Sequence, residues 1–143
     1  MSENCDVKGL IKSLSSGGVH REAAFALENM GKAAVGPLIE ALNDSCWEVR
    51  GNAAWVLGRI GDSRAIKPLI DLLRDDVWEV RVEAGIALVM MGRQSIEPLR
   101  SALKDDSLKV RKLAYNALSV LCGIENGDQK EQHGMSDSGT VSS

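Results

Sequence analysis

The sequence predicts an all-α solenoid built from four stacked helix pairs. Three observations lead to this fold class: an internal repeat with a constant period, a glycine near the end of each repeat, and a composition that suits helices. Internal periods of about 20 to 50 residues are typical of repeat architectures, in which each unit buries its apolar face against the next unit.

The period is clearest in the motif Val-Arg-x-x-Ala. It begins at Val49, Val80 and Val110, so the two intervals between copies are equal to within one position. A weaker copy begins at Val19, where His20 takes the place of the arginine.

A second motif and a glycine keep the same period. The motif is Pro-Leu-x-x-x-Leu, and it begins at Pro37, Pro68 and Pro98. Gly9 replaces the proline in the first copy. The glycine that closes each unit is Gly31, Gly61, Gly92 or Gly123. Three markers on one period indicate real structural repeats.

Each unit is predicted to hold two helices. The proline lies in the first turn of the first helix, where its missing N–H costs nothing. That helix ends at an acidic turn such as Asp75-Asp76 or Asp105-Asp106-Ser107, whose side chains can cap the second helix. The closing glycine then ends the second helix. Because only two to four residues separate the units, consecutive helices must pack antiparallel.

These markers divide the chain into a repeat domain and a tail. The domain spans residues 1–123, with repeats at about 6–31, 32–61, 62–92 and 93–123. Residues 124–143 are rich in glycine, serine and charged residues, which predicts a disordered polar tail.

Composition restricts the classes of partner and compartment. The chain is 44% hydrophobic and 3% aromatic, as suits helices rather than strands. Its net charge is −3 without a basic run, so we expect no nucleic-acid partner. We also expect no membrane partner, because no apolar run approaches the length of about 20 residues that spans a bilayer. Three widely spaced cysteines without a Cys-x-x-Cys motif favour free thiols and a cytoplasmic protein.

One stretch of the chain resembles a known repeat family. The pattern is DxxWEVRxxAAWxLGxIGDxRAxxPLIxLL, and it is similar to the HEAT-like repeats of the phycobilisome-lyase type over about residues 6–123. The resemblance implies a right-handed superhelix whose second helices line the concave side. It also implies relatives of several kinds, among them bilin-attachment lyases, deoxyhypusine hydroxylase and small scaffold proteins.

Residues suited to catalysis are scarce. The chain has two histidines, His20 and His133, and no set of three or four ligands at the spacing that a metal site needs. The hydroxylase branch of the resembled family carries His-Glu pairs as iron ligands, and this sequence has no adjacent His-Glu pair. We therefore predict a non-enzymatic protein without metal or cofactor. The alternatives are a bilin-lyase-like chromophore-handling or assembly-chaperone subunit, and a hydroxylase-like oxidoreductase that lacks its metal ligands.

The second helices carry one arc of structural positions. At about 100° per residue, its apolar members fall on a single face and should form the core. They are Val49, Ala53, Val56, Leu57 and Ile60, then Val80, Ala84, Ala87, Leu88 and Met91, then Val110, Ala114, Ala117, Leu118 and Leu121. Arg50, Arg81 and Arg111 follow acidic turns, and we expect them to pair with Asp44, Asp76 or Asp106 in the same or the adjacent unit.

A second arc on the same helices is left open by the repeat pattern and is predicted to bind another protein. Its members are Phe25, Glu48, Asn52, Trp55, Arg59, Glu79, Glu83, Ile86, Met90 and Asn116. Stacking would align Phe25, Trp55 and Ile86 as apolar anchors, while the glutamates favour a partner with basic side chains. Packing of Trp55 between neighbouring helices is the competing interpretation.

Two further features concern the edges of this surface. Trp47 and Trp78 recur with the period at the start of their helices, so we expect them to pack, although they could also form a rim. Leu113, Tyr115 and Val120 would support a weak homodimer contact, so the chain is expected to be a monomer or a weak homodimer.

Overall fold

The computed structural model describes residues 3–15 and 20–125 of the chain, with side chains for 7–15 and 21–123. Within those ranges all regular structure is helical. The α-helices are α1 (Glu3–Lys12), α2 (His20–Met30), α3 (Lys32–Ala41), α4 (Trp47–Ile60), α5 (Ile66–Leu72), α6 (Trp78–Met90), α7 (Ile96–Ala102) and α8 (Leu108–Glu125). Short 3₁₀ turns lie at Ser13–Ser15, Ser63–Ala65 and Gly92–Ser95. The predicted all-α solenoid of helix pairs is confirmed.

The helices form two layers. Each odd-numbered helix packs against the even-numbered helix that follows it, and α2, α4, α6 and α8 pack against one another in order. The helices α4 and α6 pack closely, whereas α3 and α5 barely touch. The layer of even-numbered helices therefore lies on the inner side of the stack, and its solvent-facing surface is called the B-face below.

The core lies between the layers and follows the predicted apolar arc. Every residue predicted for the core stripe of α4, α6 and α8 is buried except Ile60, which is partly exposed and packs against the core. Leucines from the odd-numbered helices fill the other side of this core, among them Leu38, Leu69 and Leu99, each 0% exposed.

Glycines end three of the units, as predicted. Gly31, Gly61 and Gly92 have φ angles of 58°, 76° and 72°, in a region that side chains other than glycine rarely adopt. The prediction that Gly123 closes the last unit is wrong, because α8 continues through it to Glu125. A glycine permits a left-handed turn but does not require one. The predicted tail thus begins inside α8, and its residues 126–143 lie outside the described part of the chain.

The prolines are placed less uniformly than predicted. Pro68 and Pro98 lie in the first turn of α5 and α7, each of which follows a 3₁₀ turn. Pro37 instead lies inside α3, which starts directly after Gly31 at Lys32. The first-turn prediction is therefore wrong for Pro37.

The aspartates of the acidic turns stabilise the turns that precede the even-numbered helices, and they do not cap the helices themselves. In each turn an aspartate Oδ1 accepts the N–H two residues later: Asp44 from Cys46 at 2.9 Å, Asp75 from Val77 at 2.9 Å, and Asp105 from Ser107 at 2.8 Å. Cys46 and Val77 are the N-cap residues of α4 and α6 and make no side-chain cap hydrogen bond. The aspartates therefore hydrogen-bond to the N–H of the N-cap residue or its equivalent, and not to an N–H inside the first turn of the helix.

Arginines cross from one unit to the acidic turn of the next. The Arg50 guanidinium makes two bonds to the Asp75 carboxylate, of 2.8 Å from Nε and 3.0 Å from Nη2. Arg74 bonds the Asp105 carboxylate in the same sense.

The predicted pairing of the three periodic arginines with Asp44, Asp76 or Asp106 needs correction. These arginines donate from Nη1 to main-chain carbonyls at the start of their own helices, not to those carboxylates. The acceptors are Asp44 and Ser45 for Arg50, Asp75 and Asp76 for Arg81, and Asp105 and Asp106 for Arg111. The turn aspartates that do bind arginine are Asp75 and Asp105, whose carboxylates are already oriented by the N–H bonds of their turns.

Ser95 provides a test of the core. Its side chain is 0% exposed, and its hydroxyl has no hydrogen-bond partner among the residues that the structure describes. The equivalent residues of the second and third units, Ala34 and Ala65, are buried as well. Replacing Ser95 by Ala should raise the free energy of unfolding by about 1 kcal/mol, because an unsatisfied buried hydroxyl is removed. Urea denaturation measures this, with Ser101→Ala, an exposed site on α7, as the control. A loss of stability in Ser95→Ala would mean that the hydroxyl is bonded.

Candidate functional site

The predicted binding residues gather on the B-face. Phe25 lies on α2, Trp55 on α4 and Ile86 on α6, and these three helices pack side by side. An ion pair from Arg59 Nε to Glu28 Oε2 of 2.7 Å joins α4 to α2 at positions that are equivalent in the repeat. The row expected from the period therefore exists over the first three units.

Apolar side chains on this face are open to solvent. Phe25 is 65% exposed, Ile86 44% and Met90 39%. These side chains are not part of the hydrophobic core, which is formed by other residues of the same helices. A cluster of exposed large apolar residues on one face is typical of a surface that binds another protein.

Trp55 shows the packing that the competing interpretation expected, and part of its side chain stays exposed. Its ring is partly buried and packs against the core. The Arg59 guanidinium lies 5.1 Å from the ring centroid, a cation–π arrangement. Arg59 also bonds Glu28, and this hydrogen bond, with the charge of Glu28, raises the pKa of the guanidinium above its ordinary value. Glu28, Arg59 and Trp55 thus form one ordered group on the B-face.

Glu83 is the carboxylate on the B-face with the most unusual surroundings. Its Cγ lies 3.6 Å from where a Cβ on Gly51 would be, so its stem occupies a notch on α4 that glycine leaves open. Burial raises the pKa of the Glu83 carboxyl. Within the described residues, this carboxylate has no hydrogen-bond or ion-pair partner. A half-buried carboxylate without a counter-ion favours the approach of a cation.

Other predicted site residues have different surroundings. Asn52 donates from Nδ2 to the Leu14 carbonyl at 2.7 Å, which ties α4 to the turn after α1 and occupies the amide. Glu48 Oε1 accepts from Cys46 Sγ at 3.2 Å. Glu79 is exposed at the start of α6, and Asn116 is exposed on α8.

The tryptophans at the rim are more exposed than predicted. Trp47 is 40% exposed and Trp78 is 63% exposed, at the first residues of α4 and α6. The packing interpretation is therefore wrong for Trp78. Leu108 continues the row at the first residue of α8 and is 54% exposed. The first residues of α4, α6 and α8 are thus all large apolar side chains that are exposed.

Sequence reasoning missed Glu28 as a member of the site. Its carboxylate orients Arg59 and thereby the ring of Trp55. The available signal was that Glu28 lies one repeat before Arg59 and carries the opposite charge.

The described residues offer neither a cluster of metal ligands nor a membrane-spanning helix. In residues 3–15 and 20–125, no group of three or more His, Cys, Asp or Glu is placed to hold a metal ion. None of the helices in that part of the chain is long and apolar enough to cross a bilayer.

Comparison with known proteins assigns the family. Residues 7–89 match the family of HEAT repeats, and residues 80–105 match the PBS lyase HEAT-like repeat. The chain belongs to the HEAT-repeat family. No curated protein is detectably similar in sequence to this HEAT-repeat chain.

Solved structures extend the comparison. Human deoxyhypusine hydroxylase in complex with glycerol aligns with a TM-score of 0.60 and 27% identity, over 90% of this chain and 46% of that one. An engineered protein aligns with a TM-score of 0.45 and 26% identity, over 80% and 61%. A designed armadillo repeat protein in complex with the peptide (KR)4 aligns with a TM-score of 0.44 and 27% identity, over 73% and 59%. The HEAT-repeat chain thus spans less than two thirds of each of these structures.

Proposed function

We propose that this HEAT-repeat chain binds a partner protein through the B-face and acts without catalysing a reaction. The observation that carries the proposal is the row of exposed apolar side chains, Phe25 and Ile86, beside the unneutralised carboxylate of Glu83. Aromatic and aliphatic anchors with a polar edge are the usual composition of a protein-binding surface.

The charges of the B-face favour a partner with basic side chains. Arg59 is already neutralised by Glu28, so it offers no free positive charge. Glu83 has no counter-ion among the described residues, and Glu79 is exposed one turn earlier on the same helix. A lysine or arginine that docks beside Glu83 would form an ion pair in a partly desolvated setting, where the attraction is stronger than in water.

The test is affinity capture from host lysate with matched variants. Phe25→Ala/Ile86→Ala should reduce capture of the partner at least about tenfold, because anchor residues carry most of the binding energy. Lys67→Ala is the control, since Lys67 is exposed on α5, outside the layer of even-numbered helices. Circular dichroism checks that both variants fold. Equal capture by wild type, double variant and control would show that the B-face is not the binding site.

The charge part of the proposal has its own measurement. Once a partner is in hand, Glu83→Gln should weaken its binding about tenfold, and the difference from wild type should shrink at high salt. Glu97→Gln, an exposed site on α7, is the control. An unchanged affinity in Glu83→Gln would remove the basic side chain from the description of the partner.

The same capture experiment also tests one alternative function. A bilin-like chromophore that co-purifies in place of a protein would support a chromophore-handling or assembly-chaperone role. Hydroxylase activity is not proposed, because this sequence has no adjacent His-Glu pair of the kind that the resembled hydroxylases use as iron ligands. We also propose a cytoplasmic location, supported by the free thiols of Cys46 and Cys122.

A further inference from the structure

Among the described residues, nothing stacks on the outer side of the last unit, which leaves an open edge there. Leu103, Arg111, Lys112, Tyr115 and Asn116 line one open pocket there, and together with Lys104 they are called the C-terminal edge. It lies on α8 and the turn before it, on the side where a further unit would stack. Its chemistry differs from that of the B-face, since its charged members are basic.

The inner junctions of the stack show what such an edge binds. At the junction of the second and third units, Arg50 forms an ion pair with the carboxylate of Asp75. At the junction of the third and fourth units, Arg74 binds the carboxylate of Asp105. In both cases, an arginine of one unit reaches an aspartate that the next unit presents.

The C-terminal edge repeats these arginine positions without the aspartate. Arg111 is the equivalent of Arg50, and Lys104 is the equivalent of Arg74. Nη1 of Arg111 donates to the carbonyls of Asp105 and Asp106 at 2.7 and 3.0 Å, as Arg50 does in its own unit. In the described part of the chain, no carboxylate bonds the Arg111 guanidinium.

The apolar part of the edge is likewise uncovered. Leu42 and Leu73 are 3% and 0% exposed, whereas Leu103 at the equivalent position is 37% exposed. Tyr115, in the same pocket, is 65% exposed. The edge therefore offers an apolar contact beside Arg111. Its counterpart Arg50 binds a carboxylate across a junction, whereas its other counterpart, Arg81, bonds only main-chain carbonyls.

We propose that the C-terminal edge docks a helical segment of another protein that presents a carboxylate beside aliphatic side chains. The carboxylate takes the place that Asp75 holds against Arg50, and the aliphatic side chains cover Leu103. Head-to-tail stacking of a second copy lacks this carboxylate, because the corresponding turn of the first unit reads Ser15-Ser16-Gly17-Gly18. Asn116 belongs to both surfaces, but the proposal rests on Leu103 and Arg111, which are not among the predicted binding residues of the B-face.

The test uses the full chain, labelled for NMR, and a synthetic helical probe. The probe is an alanine-rich amphipathic peptide with leucines on one face and flanking glutamates, beside the same peptide with glutamines. We expect the glutamate peptide to shift the amide signals of α7 and α8 around Leu103, Arg111 and Tyr115. It should bind at least about tenfold more tightly than the glutamine peptide, as expected for a charge-assisted contact.

Variants separate the edge from general charge effects. Arg111→Gln should abolish the preference for glutamate, while Arg100→Gln, an exposed site on α7, should retain it. Because Arg111 also bonds two carbonyls, Lys104→Gln/Lys112→Gln serves as a second variant that leaves those bonds intact and should weaken the preference.

Three outcomes would overturn the proposal. The first is equal binding of the two peptides, or shifts confined to other helices. The second is concentration-dependent self-association through the same residues, which would make a second copy the occupant. The third is stronger peptide binding after deletion of residues 126–143, which would make the chain's own C-terminal segment the occupant.

Discussion

Of all glycine-to-alanine changes in the described helices, Gly58→Ala should destabilise the solenoid most. A Cβ at Gly58 would lie 2.7 Å from Ala87 Cα and 2.8 Å from Ala87 Cβ, closer than real Cβ contacts allow. The obstacle is the backbone of α6, which cannot rotate away as a side chain can. We expect a loss of about 3 kcal/mol in the free energy of unfolding, and a melting temperature lower by about 10 °C.

A matched glycine makes this prediction specific. Gly85 lies in α6, and a Cβ there would meet nothing within 4 Å beyond its chain neighbours and the backbone of its own helix. Gly85→Ala should therefore stabilise the chain by about 0.5 to 1 kcal/mol, because alanine favours the helix. Thermal and urea denaturation of the two variants would decide the matter. A Gly58→Ala variant as stable as Gly85→Ala would show that α4 and α6 do not approach as closely as described.

The core was predictable because it is periodic. Residues such as Val49, Val80 and Val110 recur at one interval, and burial repeats with them since every inner unit has the same neighbours. Details that depend on a single junction were not predictable in this way. Pro37 lies inside its helix because α3 starts directly after Gly31, without the 3₁₀ turn that precedes α5.

The positions of the proposed binding residues on neighbouring helices were predictable, but their interactions were not. Stacking with the period of the repeat correctly placed Phe25, Trp55 and Ile86 on neighbouring helices. The hydrogen-bond partner of each polar group depends on the length and chemistry of its side chain, and these differ between equivalent positions of the repeat. Asn52 thus turns to the Leu14 carbonyl, whereas Glu83, its equivalent one unit later, lies over Gly51 without a partner.

Exposure at the ends of a repeat stack follows a different rule from exposure inside it. Leu103 matches Leu42 and Leu73 in sequence, so the period alone predicts burial. It is exposed because nothing in the described chain stacks on the last unit as the third unit stacks on the second. Residues that obey the repeat yet differ in exposure are therefore the ones that mark an end surface.

Asp75→Asn should give the other large loss of stability. The side chains of Arg50 and Asp75 are only 16% and 10% exposed, and they join the second unit to the third through two hydrogen bonds. Asparagine keeps the shape and can still accept the Val77 N–H, so the change removes mainly the ion pair. We expect the free energy of unfolding at neutral pH to fall by about 2 kcal/mol. The control Asp76→Asn, an exposed neighbour, should lose less than about 0.5 kcal/mol.

The same pair sets a dependence on pH that distinguishes it from simple packing. Burial alone would raise the pKa of Asp75, but hydrogen bonds from Arg50 and Val77 outweigh it and hold the pKa below the ordinary 3.8. A carboxylate with a lowered pKa stabilises the fold above its unfolded pKa, and this contribution disappears as the pH falls through the folded pKa. Wild type should therefore lose stability below about pH 4 more steeply than Asp75→Asn. Hydrogen bonds with Arg64 lower the pKa of Asp62 to about 2. Because both proteins keep Asp62, both should lose some further stability in acid. Urea denaturation at a series of pH values measures the two slopes, and parallel curves would show that Asp75 is not ion-paired in the folded chain.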